Sequence, residues 1–316
     1  MNEKINNLKK KYPLSSDWSE LELFNDEVMI GELSLEMIGF STQKNEKMMV
    51  TGSSAACTPF NENLLERAYF ELLERSVVIE KTFDYKNGET FCYSKSNGVA
   101  IHTDFELAKK AAQNELIERD AILRSWFLNQ SPLRVLNLSP EIQILVKKLG
   151  EYYDFEFYTF NSSLSFATNS FVTASFAFPK KDNINFCYGL SCRGSLEESL
   201  KKSFAENLQT LAFLWGEGFD EVPLFSPSPS YHQHYFSTKN GLKLIRDWLY
   251  KKNVQSQKSV QIIPDFTFED LTPEHLKGKA YVIRATEKNA IPLIFGKGYN
   301  LESCPVENDR YIHPIC

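Results

Sequence analysis

Three stretches of the sequence share a pattern of acidic residues on a helical spacing. Residues 71–75 read Glu-Leu-Leu-Glu-Arg, and residues 115–119 read Glu-Leu-Ile-Glu-Arg. A weaker third copy at residues 206–209 reads Glu-Asn-Leu-Gln. Glutamates three positions apart lie on one face of a helix, so the first two copies each place two carboxylates side by side. Their like charges repel each other, and a bound cation relieves that repulsion.

Magnesium is the cation that this arrangement favours, because Mg²⁺ prefers carboxylate and phosphate oxygens and usually keeps some of its waters. Arg75 follows Glu71 by four residues, and Arg119 follows Glu115 by four. Each arginine can pair with its own glutamate or reach a phosphate. The chain has no Gly-x-x-x-x-Gly-Lys-Ser/Thr and no Gly-x-Gly-x-x-Gly, so a nucleotide here would be bound through metal by the acids. A solvated helix face with local ion pairs is the alternative explanation of any single copy.

The context before each copy repeats as well. Gly52, Gly98 and Gly189 precede the first glutamate of the three copies by 19, 17 and 17 residues. Each glycine is followed by residues typical of a helix N-terminus, which are Thr58-Pro59, Thr103-x-x-Glu106 and Ser195-x-x-Glu198. The sequence therefore predicts one device used three times, in which a strand end is followed by a cap and an acid-bearing helix.

Hydrophobic periodicity indicates the elements that position these acids. Helices are predicted at 61–80, 104–128, 196–214 and 240–252, with another that begins at Ser139-Pro140-Glu141. Strands are predicted within Val28–Phe40 and at 153–160, 170–178, 258–263 and 280–286. Residues 225–234, which include His232 and His234, are predicted to form a solvated loop. The fold class is α+β, with mixed sheets and three long acid-bearing helices that frame an ATP/Mg site.

The bulk composition sets limits on function. The chain has 316 residues, of which 42% are hydrophobic and 24% charged, and a net charge of −6. The acidic balance argues against nucleic acid as a partner, and no apolar run is long enough to span a membrane. Six scattered cysteines form no C-x-x-C pair. Without a signal-peptide pattern, they predict a cytoplasmic protein with reduced thiols.

At these residues the sequence resembles the YcaO-domain family. Asn97-Gly98-Val99-Ala100, leading to Glu115-Leu-Ile-Glu-Arg-Asp-Ala121, resembles the signature stretch of that family. Glu71 to Arg75 resembles its first acidic helix, and Ser203 to Gln209 resembles its third. Gly52-Ser-Ser-Ala-Ala56 is most similar to the cyclodehydratase subunit of microcin-type azole synthetases. The resemblance implies a single YcaO-like domain over residues 1–316, with an N-terminal extension at 1–50, the ATP/Mg motifs at 51–215 and a C-terminal part at 235–316.

The resemblance also implies ligands and roles for the motif residues. ATP and Mg²⁺ are expected to bind the acidic helices without a phosphate loop. The implied metal ligands are Glu71, Glu74, Glu115, Glu118 and Glu206. The implied nucleotide-binding residues are these five together with Arg75, Arg119 and Gln209. The implied catalytic residues are Glu115, Glu118, Arg119 and Glu206. Relatives also bind phosphate with an arginine after the third motif, and Arg246 or Arg284 is expected to substitute for it here.

The activity implied by the resemblance is ATP-dependent activation of backbone amides. In cyclodehydratases, a Cys, Ser or Thr side chain of a ribosomally made precursor peptide attacks the preceding carbonyl. The resulting oxyanion is phosphorylated, and phosphate leaves to give a thiazoline or oxazoline; positioning and charge neutralisation carry such catalysis. The implied partners are the precursor peptide, a ubiquitin-activating-like protein that binds its leader, and a flavin dehydrogenase. A homodimer remains open.

Three alternatives remain at this point. Other branches of the family form thioamides or macrocyclic amidines. A non-catalytic scaffold is the second alternative, and three departures from the family pattern are the reason to consider it. Arg67 stands where many relatives have Ser, Ser53-Ser54 stand where many have Lys, and the chain ends in His313-Pro314-Ile315-Cys316 rather than a proline-rich tail. A protein-interaction module with charged helices is the third alternative.

Overall fold

The computed structural model describes residues 2–44, 48–217, 224–251, 263–301, 306 and 310–315. Nearly all of the strand predicted at 258–263 lies outside these residues, as do Cys304 and Cys316. In the described part of the chain, none of the helices combines the length and apolar character needed to cross a membrane.

Eight α-helices lie within the described residues: α1 (Asn2–Lys11), α2 (Leu64–Glu80), α3 (Phe105–Phe127), α4 (Pro140–Leu149), α5 (Ser163–Ala167), α6 (Leu196–Leu214), α7 (Pro229–Ser237) and α8 (Lys239–Leu249). The strands are β1 (Glu22–Ile30), β2 (Leu33–Gln43), β3 (Met49–Ala56), β4 (Phe91–Tyr93), β5 (Val99–His102), β6 (Leu133–Val135), β7 (Tyr153–Phe160), β8 (Phe171–Pro179), β9 (Cys187–Arg193), β10 (Thr267–Asp270), β11 (Tyr281–Thr286) and β12 (Ile294–Gly296).

The strands form four sheets in the described part of the chain, with orders β1-β2-β3, β10-β11-β5, β12-β4 and β6-β7-β8-β9. Neighbouring strands in these sheets run antiparallel. The segment predicted as one or two strands is the β1–β2 hairpin, whose turn is made by Gly31 at a φ of 60°. Helices and strands do not alternate as in a parallel sheet, and the α+β prediction is confirmed.

The caps of the acid-bearing helices differ from the predicted ones in two cases. Ser195 caps α6 as predicted, because its hydroxyl accepts from the backbone N–H of Glu198 at 3.3 Å. Helix α3 is capped by Asp104 rather than Thr103, since the Asp104 carboxylate accepts from the N–H of Leu107 at 2.9 Å. Asp is a good N-cap and stands one residue closer to the helix, so the predicted capping box was wrong.

Helix α2 begins three residues later than predicted and has no side-chain cap. Its N-cap position is Asn63, in the left-handed region at a φ of 57°. Thr58-Pro59 therefore lies before the helix without capping it. Asparagine tolerates this conformation better than most residues, which explains why the chain turns into the helix there.

Helix α2 crosses strand β3 at very short distance, and Gly52 makes this contact feasible. A Cβ atom at Gly52 would lie 2.1 Å from the backbone nitrogen of Leu72 and 2.3 Å from the carbonyl oxygen of Ala68. These two backbone atoms flank Glu71, one residue after it and three before it. The strand therefore fixes the height and rotation of the helix at its first glutamate.

The contact between α6 and β9 repeats this geometry. A Cβ atom at Gly189 would lie 2.1 Å from the carbonyl oxygen of Ser203 and 2.2 Å from the backbone nitrogen of Asn207. Relative to Glu206, these are again the positions three before and one after. The glycine-to-glutamate relation seen in the sequence is therefore a packing relation, in which the strand contacts the helix beside the acid.

The third glycine has a related role. Gly98 precedes β5 and has a φ of 71°, a conformation that L side chains rarely adopt. A Cβ atom there would lie 2.6 Å from the carbonyl oxygen of Ala285 and 3.3 Å from the Cβ of Leu116. Leu116 follows Glu115 by one residue, so the contact again falls beside the first glutamate of the copy.

The three strand–helix units close into a ring. Helix α2 contacts its own strand β3 and also β5 of the second unit. Helix α3 contacts β5 and also β9 of the third unit, and α6 contacts β9 and also β3 of the first unit. Each helix thus packs against its own strand and the strand of the next unit, and the acid-bearing faces surround one central space.

Aromatic packing joins this ring to the C-terminal part of the chain. Trp126 on α3 and Trp248 on α8 are fully buried, with ring centroids 5.1 Å apart. The indole N–H of Trp126 donates to the carbonyl of Arg310 at 2.8 Å. Helix α3 is therefore held at its C-terminal end by the core and at its centre by the ring.

We expect Gly189→Ala to lower the free energy of unfolding by about 3 kcal/mol or more, because the added methyl group meets backbone atoms that cannot rotate away. Gly194→Ala is the matched control, since a Cβ atom there has nothing within 4 Å, and its effect should stay within about 1 kcal/mol. Urea unfolding of both variants measures the difference. Equal stabilities of the two variants would contradict the close packing at Gly189.

Candidate active site

The three acid-bearing helices line one cavity of about 840 Å³. Each helix contributes the same four positions: the first glutamate of its copy, and the residues four before, three after and four after it. These are Arg67, Glu71, Glu74 and Arg75 on α2, Ala111, Glu115, Glu118 and Arg119 on α3, and Lys202, Glu206, Gln209 and Thr210 on α6. All eight site residues predicted from the sequence therefore line a single cavity.

The first glutamate of α2 is fixed by its own strand. Glu71 accepts a hydrogen bond from the backbone N–H of Ser53, the residue after Gly52, at 2.9 Å. Its other carboxylate oxygen lies 2.6 Å from the guanidinium of Arg75. Arg75 in turn donates to the carbonyl of Thr51 at 3.0 Å. The carboxylate is therefore oriented by two partners and is largely neutralised.

The second glutamate of α2 has weaker compensation. Glu74 reaches across the ring and accepts from the backbone N–H of Ile101 on β5 at 2.9 Å. Burial, reinforced by the charge of Glu71, raises the pKa of Glu74 to about 7, although the Ile101 amide and Arg75 oppose the shift. A proton or a cation is thus needed to stabilise this carboxylate.

Helix α3 brings two more carboxylates to the same region. The Nε atom of Arg119 lies 3.9 Å from both Glu115 and Glu118, too far for a hydrogen bond to either. Burial raises the pKa of Glu118 to about 7 and raises that of Glu115 well above its ordinary value, despite Arg119. The neighbouring carboxylate of Glu74 adds to the shift of Glu115. Glu115 and Glu118 therefore share the guanidinium of Arg119, whereas the cation that acts on Glu74 is Arg75.

The third helix closes the cavity with a less acidic set. Glu206 pairs with Lys202 at 3.0 Å. Gln209 donates through Nε2 to the carbonyl of Ser53 at 3.2 Å, and its Oε1 accepts from Arg67 at 3.4 Å. The side-chain amide of Gln209 thereby links α6 to α2 and β3, in the position that glutamates occupy on the other two helices.

Three cationic cavity residues were not predicted as ligands. Arg67 and Lys202 stand four residues before Glu71 and Glu206, on the same helix face, so their spacing was a usable signal. Arg193, at the end of β9, also lines the cavity. Nothing in the sequence relates it to the three copies, and it could be found only from the fold.

The arginines expected as substitutes lie elsewhere, and that expectation was wrong. Arg284 stacks on the ring of Phe83 at 4.1 Å and hydrogen-bonds the hydroxyl of Tyr85. Arg246 stacks on the ring of Phe178 at 4.8 Å. Neither arginine lines the cavity, because strand β11 and helix α8 direct them to aromatic surfaces.

The predicted solvated loop at 225–234 is also wrong from Pro229 onward, where helix α7 begins. Ser228 caps this helix by accepting from the N–H of Tyr231 at 3.3 Å, and Pro229 occupies the first turn. Proline at the first helical position loses no hydrogen bond, so the Ser-Pro pair marked a helix start. Helix α7 contributes Pro229 and Gln233 to the cavity wall.

His232 on α7 is a structural residue. It is fully buried, accepts through Nε2 from the N–H of Gly296 at 3.0 Å, and donates through Nδ1 to the carbonyl of His313 at 3.1 Å. Burial, together with the neighbouring His313, lowers the pKa of His232 well below its ordinary value. The neutral ring therefore connects helix α7 to β12 and to the C-terminal residues.

The donor set fits a magnesium–phosphate ligand better than a metal alone. Among the described residues, no three carboxylate, imidazole or thiol groups form a ready-made metal site. Glu74, Glu115 and Glu118 nevertheless supply hard oxygen donors with incomplete compensation. Mg²⁺ is commonly held by one or two carboxylates together with substrate phosphates and water. A cavity that holds incompletely compensated acids together with cationic groups suits such a ligand.

Comparisons with known proteins show the family and the fold of the chain. A family model described as "YcaO cyclodehydratase, ATP- and Mg²⁺-binding" matches residues 76–262, so the copy at 71–75 lies just before the matched region. A comparison with curated proteins gave no match.

Solved structures show the same fold at low sequence identity. YcaO from Methanopyrus kandleri, bound with AMPPCP and Mg²⁺, has a TM-score of 0.62 and 15% identity, covering 91% of this chain and 89% of that one. A heterocyclase in complex with substrate and cofactor has a TM-score of 0.58 and 13% identity, covering 90% of this chain and 52% of that one. The E. coli microcin synthetase McbBCD complex has a TM-score of 0.57 and 11% identity, covering 85% and 88%. This chain thus spans about half of the heterocyclase chain.

The raised pKa of Glu118 predicts a pH dependence of stability in the ligand-free protein. The contribution of the Glu118 carboxyl to the free energy of unfolding is fully present below its ordinary pKa of 4.5. This contribution is lost as the pH rises through about 7, because the buried group then becomes charged. The charged groups that act on Glu118 are Arg119, Glu206, Arg193 and Lys202. We expect Glu118→Gln to be more stable than the wild type at pH 7.5 by roughly 1–3 kcal/mol, and about equal at pH 5.

Thermal and urea unfolding across pH 5 to 8 measure this difference. Glu141→Gln is the control, because the Ser139 hydroxyl lowers the pKa of this exposed glutamate, and its removal should not stabilise the protein at high pH. A Glu118→Gln variant that is less stable than wild type at pH 7.5 would contradict the desolvated carboxylate described above.

Proposed function

The chain belongs to the YcaO family of ATP- and Mg²⁺-binding cyclodehydratases, and from this premise we propose that it uses ATP to activate backbone amides of a peptide. The product is an azoline, formed from a Cys, Ser or Thr residue of a ribosomally made precursor. One observation carries the proposal. Three equivalent helices line one cavity with their acidic faces, and cationic side chains line the same cavity. Phosphoryl transfer needs this combination of positioning and charge neutralisation.

We assign the metal to the junction of α2 and α3. Glu74, Glu115 and Glu118 would hold Mg²⁺, because burial raises their pKa values. Among the described residues, Arg119 is the cation within 4 Å of Glu115 and Glu118, at 3.9 Å from each. Glu71 and Glu206 already have cationic partners within 3.0 Å, so they would add to the metal site only by exchanging those partners. When bound, Mg·ATP supplies the phosphoryl group that turns the amide oxygen into a leaving group.

Six further lining residues suit the peptide. They are Ser94, Ser96, Pro229, Gln233, Leu293 and Phe295. These side chains combine apolar surface with hydroxyl and amide groups, and extended peptides are bound by such mixtures of pockets and hydrogen bonds. The attacking side chain and the carbonyl would then lie between these residues and the nucleotide.

The reaction balances without an oxidant. The side-chain S–H or O–H and the amide N–H each lose a proton, a carbon–sulfur or carbon–oxygen bond and a C=N bond form, and the amide oxygen leaves on phosphate. ATP becomes ADP. A thioamide or an amidine would require a sulfide donor or an amine in place of the internal nucleophile, and the chain would activate the same carbonyl.

We propose that the chain works with partner proteins. The E. coli microcin synthetase McbBCD is a complex, also solved with pro-MccB17 bound. By the family resemblance, a ubiquitin-activating-like protein would bind the leader of the precursor, and a flavin dehydrogenase would oxidise the azoline. A non-catalytic scaffold is the competing assignment, and it predicts no turnover even when partner and precursor are present.

We expect Glu118→Ala to weaken Mg·ATP binding at least about tenfold, because the substitution removes one oxygen-donor group from the site. Isothermal titration calorimetry of wild type and variant, with Mg²⁺ and with EDTA, measures the effect. Glu141→Ala, an exposed glutamate outside the cavity, is the control and should bind as wild type does. Unchanged affinity in Glu118→Ala, or binding that does not depend on Mg²⁺, would contradict the assignment.

Turnover is tested with the precursor peptide and the co-purified partner. The proposal predicts ADP release that depends on the peptide, with loss of one water from the peptide for each ring formed. Mass spectrometry separates this product from a thioamide. ATP binding without turnover in the complete complex would instead establish the scaffold.

A further inference from the structure

Five cationic side chains line the cavity, and they are not equally neutralised. Three of them lie within 4 Å of a carboxylate. The pairs are Arg75 with Glu71, Lys202 with Glu206, and Arg119 with both Glu115 and Glu118. Arg67 and Arg193 have no carboxylate at that distance among the residues that the structure describes. Two guanidinium groups in the cavity are therefore available to an anion.

Arg67 is the better positioned of the two. It lies in the first turn of α2, and its Nη2 atom donates to Oε1 of Gln209 on α6 at 3.4 Å, the long limit of a hydrogen bond. Gln209 is itself fixed by its bond to the carbonyl of Ser53 at 3.2 Å. Arg193, by contrast, donates to the carbonyl of its own neighbour Cys192 at 2.6 Å. Arg67 is thus oriented from a second helix while most of its five donors stay unused.

The surroundings of Arg67 favour an anion over water. Burial lowers the pKa of Arg67, although Glu206 and Glu71 oppose the shift from a distance. Ser54 lines the same cavity and is 1% exposed, and its buried hydroxyl has no hydrogen-bond partner in the described part of the chain. A desolvated cation and an unpartnered donor both lose free energy when left unpaired.

We propose that Arg67 binds phosphoryl oxygens of the ligand in this cavity, with Gln209 as the residue that positions its guanidinium. The planar fork of arginine matches two oxygens of a phosphate. The sites would then be divided within the ring, with metal between α2 and α3, and phosphate between α2 and α6. The inference rests on the proposed nucleotide function, and it assigns a role to a side chain that departs from the usual residue at this position of the family.

The experiment compares wild type, Arg67→Ala, Arg67→Lys and Gln209→Glu by calorimetric titration with Mg·ATP, inorganic tripolyphosphate and adenosine. We expect Arg67→Ala to weaken ATP and tripolyphosphate binding about 10- to 100-fold, the effect of losing a charge-assisted hydrogen bond. Adenosine binding should stay unchanged. Arg67→Lys should recover part of the affinity. Gln209→Glu should weaken phosphate binding with Arg67 still present, because a carboxylate then competes for the guanidinium.

Arg134→Ala is the matched control, since Arg134 is 52% exposed and lies outside the cavity, and its titrations should equal those of the wild type. Thermal unfolding shows whether each variant is folded, and Arg67→Lys serves if Arg67→Ala is not. Unchanged ATP and tripolyphosphate affinity in Arg67→Ala, or an equal loss for adenosine, would overturn the proposal. If wild type binds tripolyphosphate but not ATP, the nucleotide function fails and the Arg67 comparison still decides this inference. Binding of neither phosphate probe by wild type would overturn both.

Discussion

The close contact between strand and helix beside each first glutamate is the constraint on which the site depends. At Gly52 and Gly189 the strand approaches helix backbone so closely that a Cβ atom would lie about 2.1 Å from it. A helix held this tightly cannot rotate or slide, so the acids on its exposed face keep their direction. Because each helix also contacts the strand of the next unit, the three contacts fix one another, and the acidic faces converge.

Convergence has an electrostatic cost that the ligand-free protein does not fully offset. Glu71 and Glu206 have close cationic partners, whereas Glu74, Glu115 and Glu118 have raised pKa values. Arg67 and Arg193 line the same cavity, and neither has a carboxylate within 4 Å among the described residues. A rigid ring limits how closely these opposite charges can approach one another. A ligand that carries both signs, such as a metal ion on a polyphosphate, can neutralise both groups.

The repeated features of the fold were readable from the sequence, and the unrepeated ones were not. The glycine and the first glutamate recur in each unit because each unit must solve the same packing problem, so their spacing predicted three equivalent helices and a shared site. Arg193 and the wall from α7 and β12 reach the cavity through long-range packing that leaves no local pattern. The segment around Pro229 combines a loop-like composition with a helix start, and the Ser228 cap together with the burial of His232 shows that it is a helix. The sequence predicted Thr103 as the cap of α3, whereas the structure has Asp104. Spacing alone cannot separate two adjacent residues that both favour the N-cap position.

The most direct test of this account is a crystal structure of the protein with Mn²⁺ and a non-hydrolysable ATP analogue, in which anomalous scattering locates the metal. We expect an anomalous peak about 2 Å from carboxylate oxygens contributed by both α2 and α3, with the polyphosphate inside the ring of the three helices. A metal and nucleotide bound outside that ring, with the acids of the three helices facing solvent on separate surfaces, would contradict it.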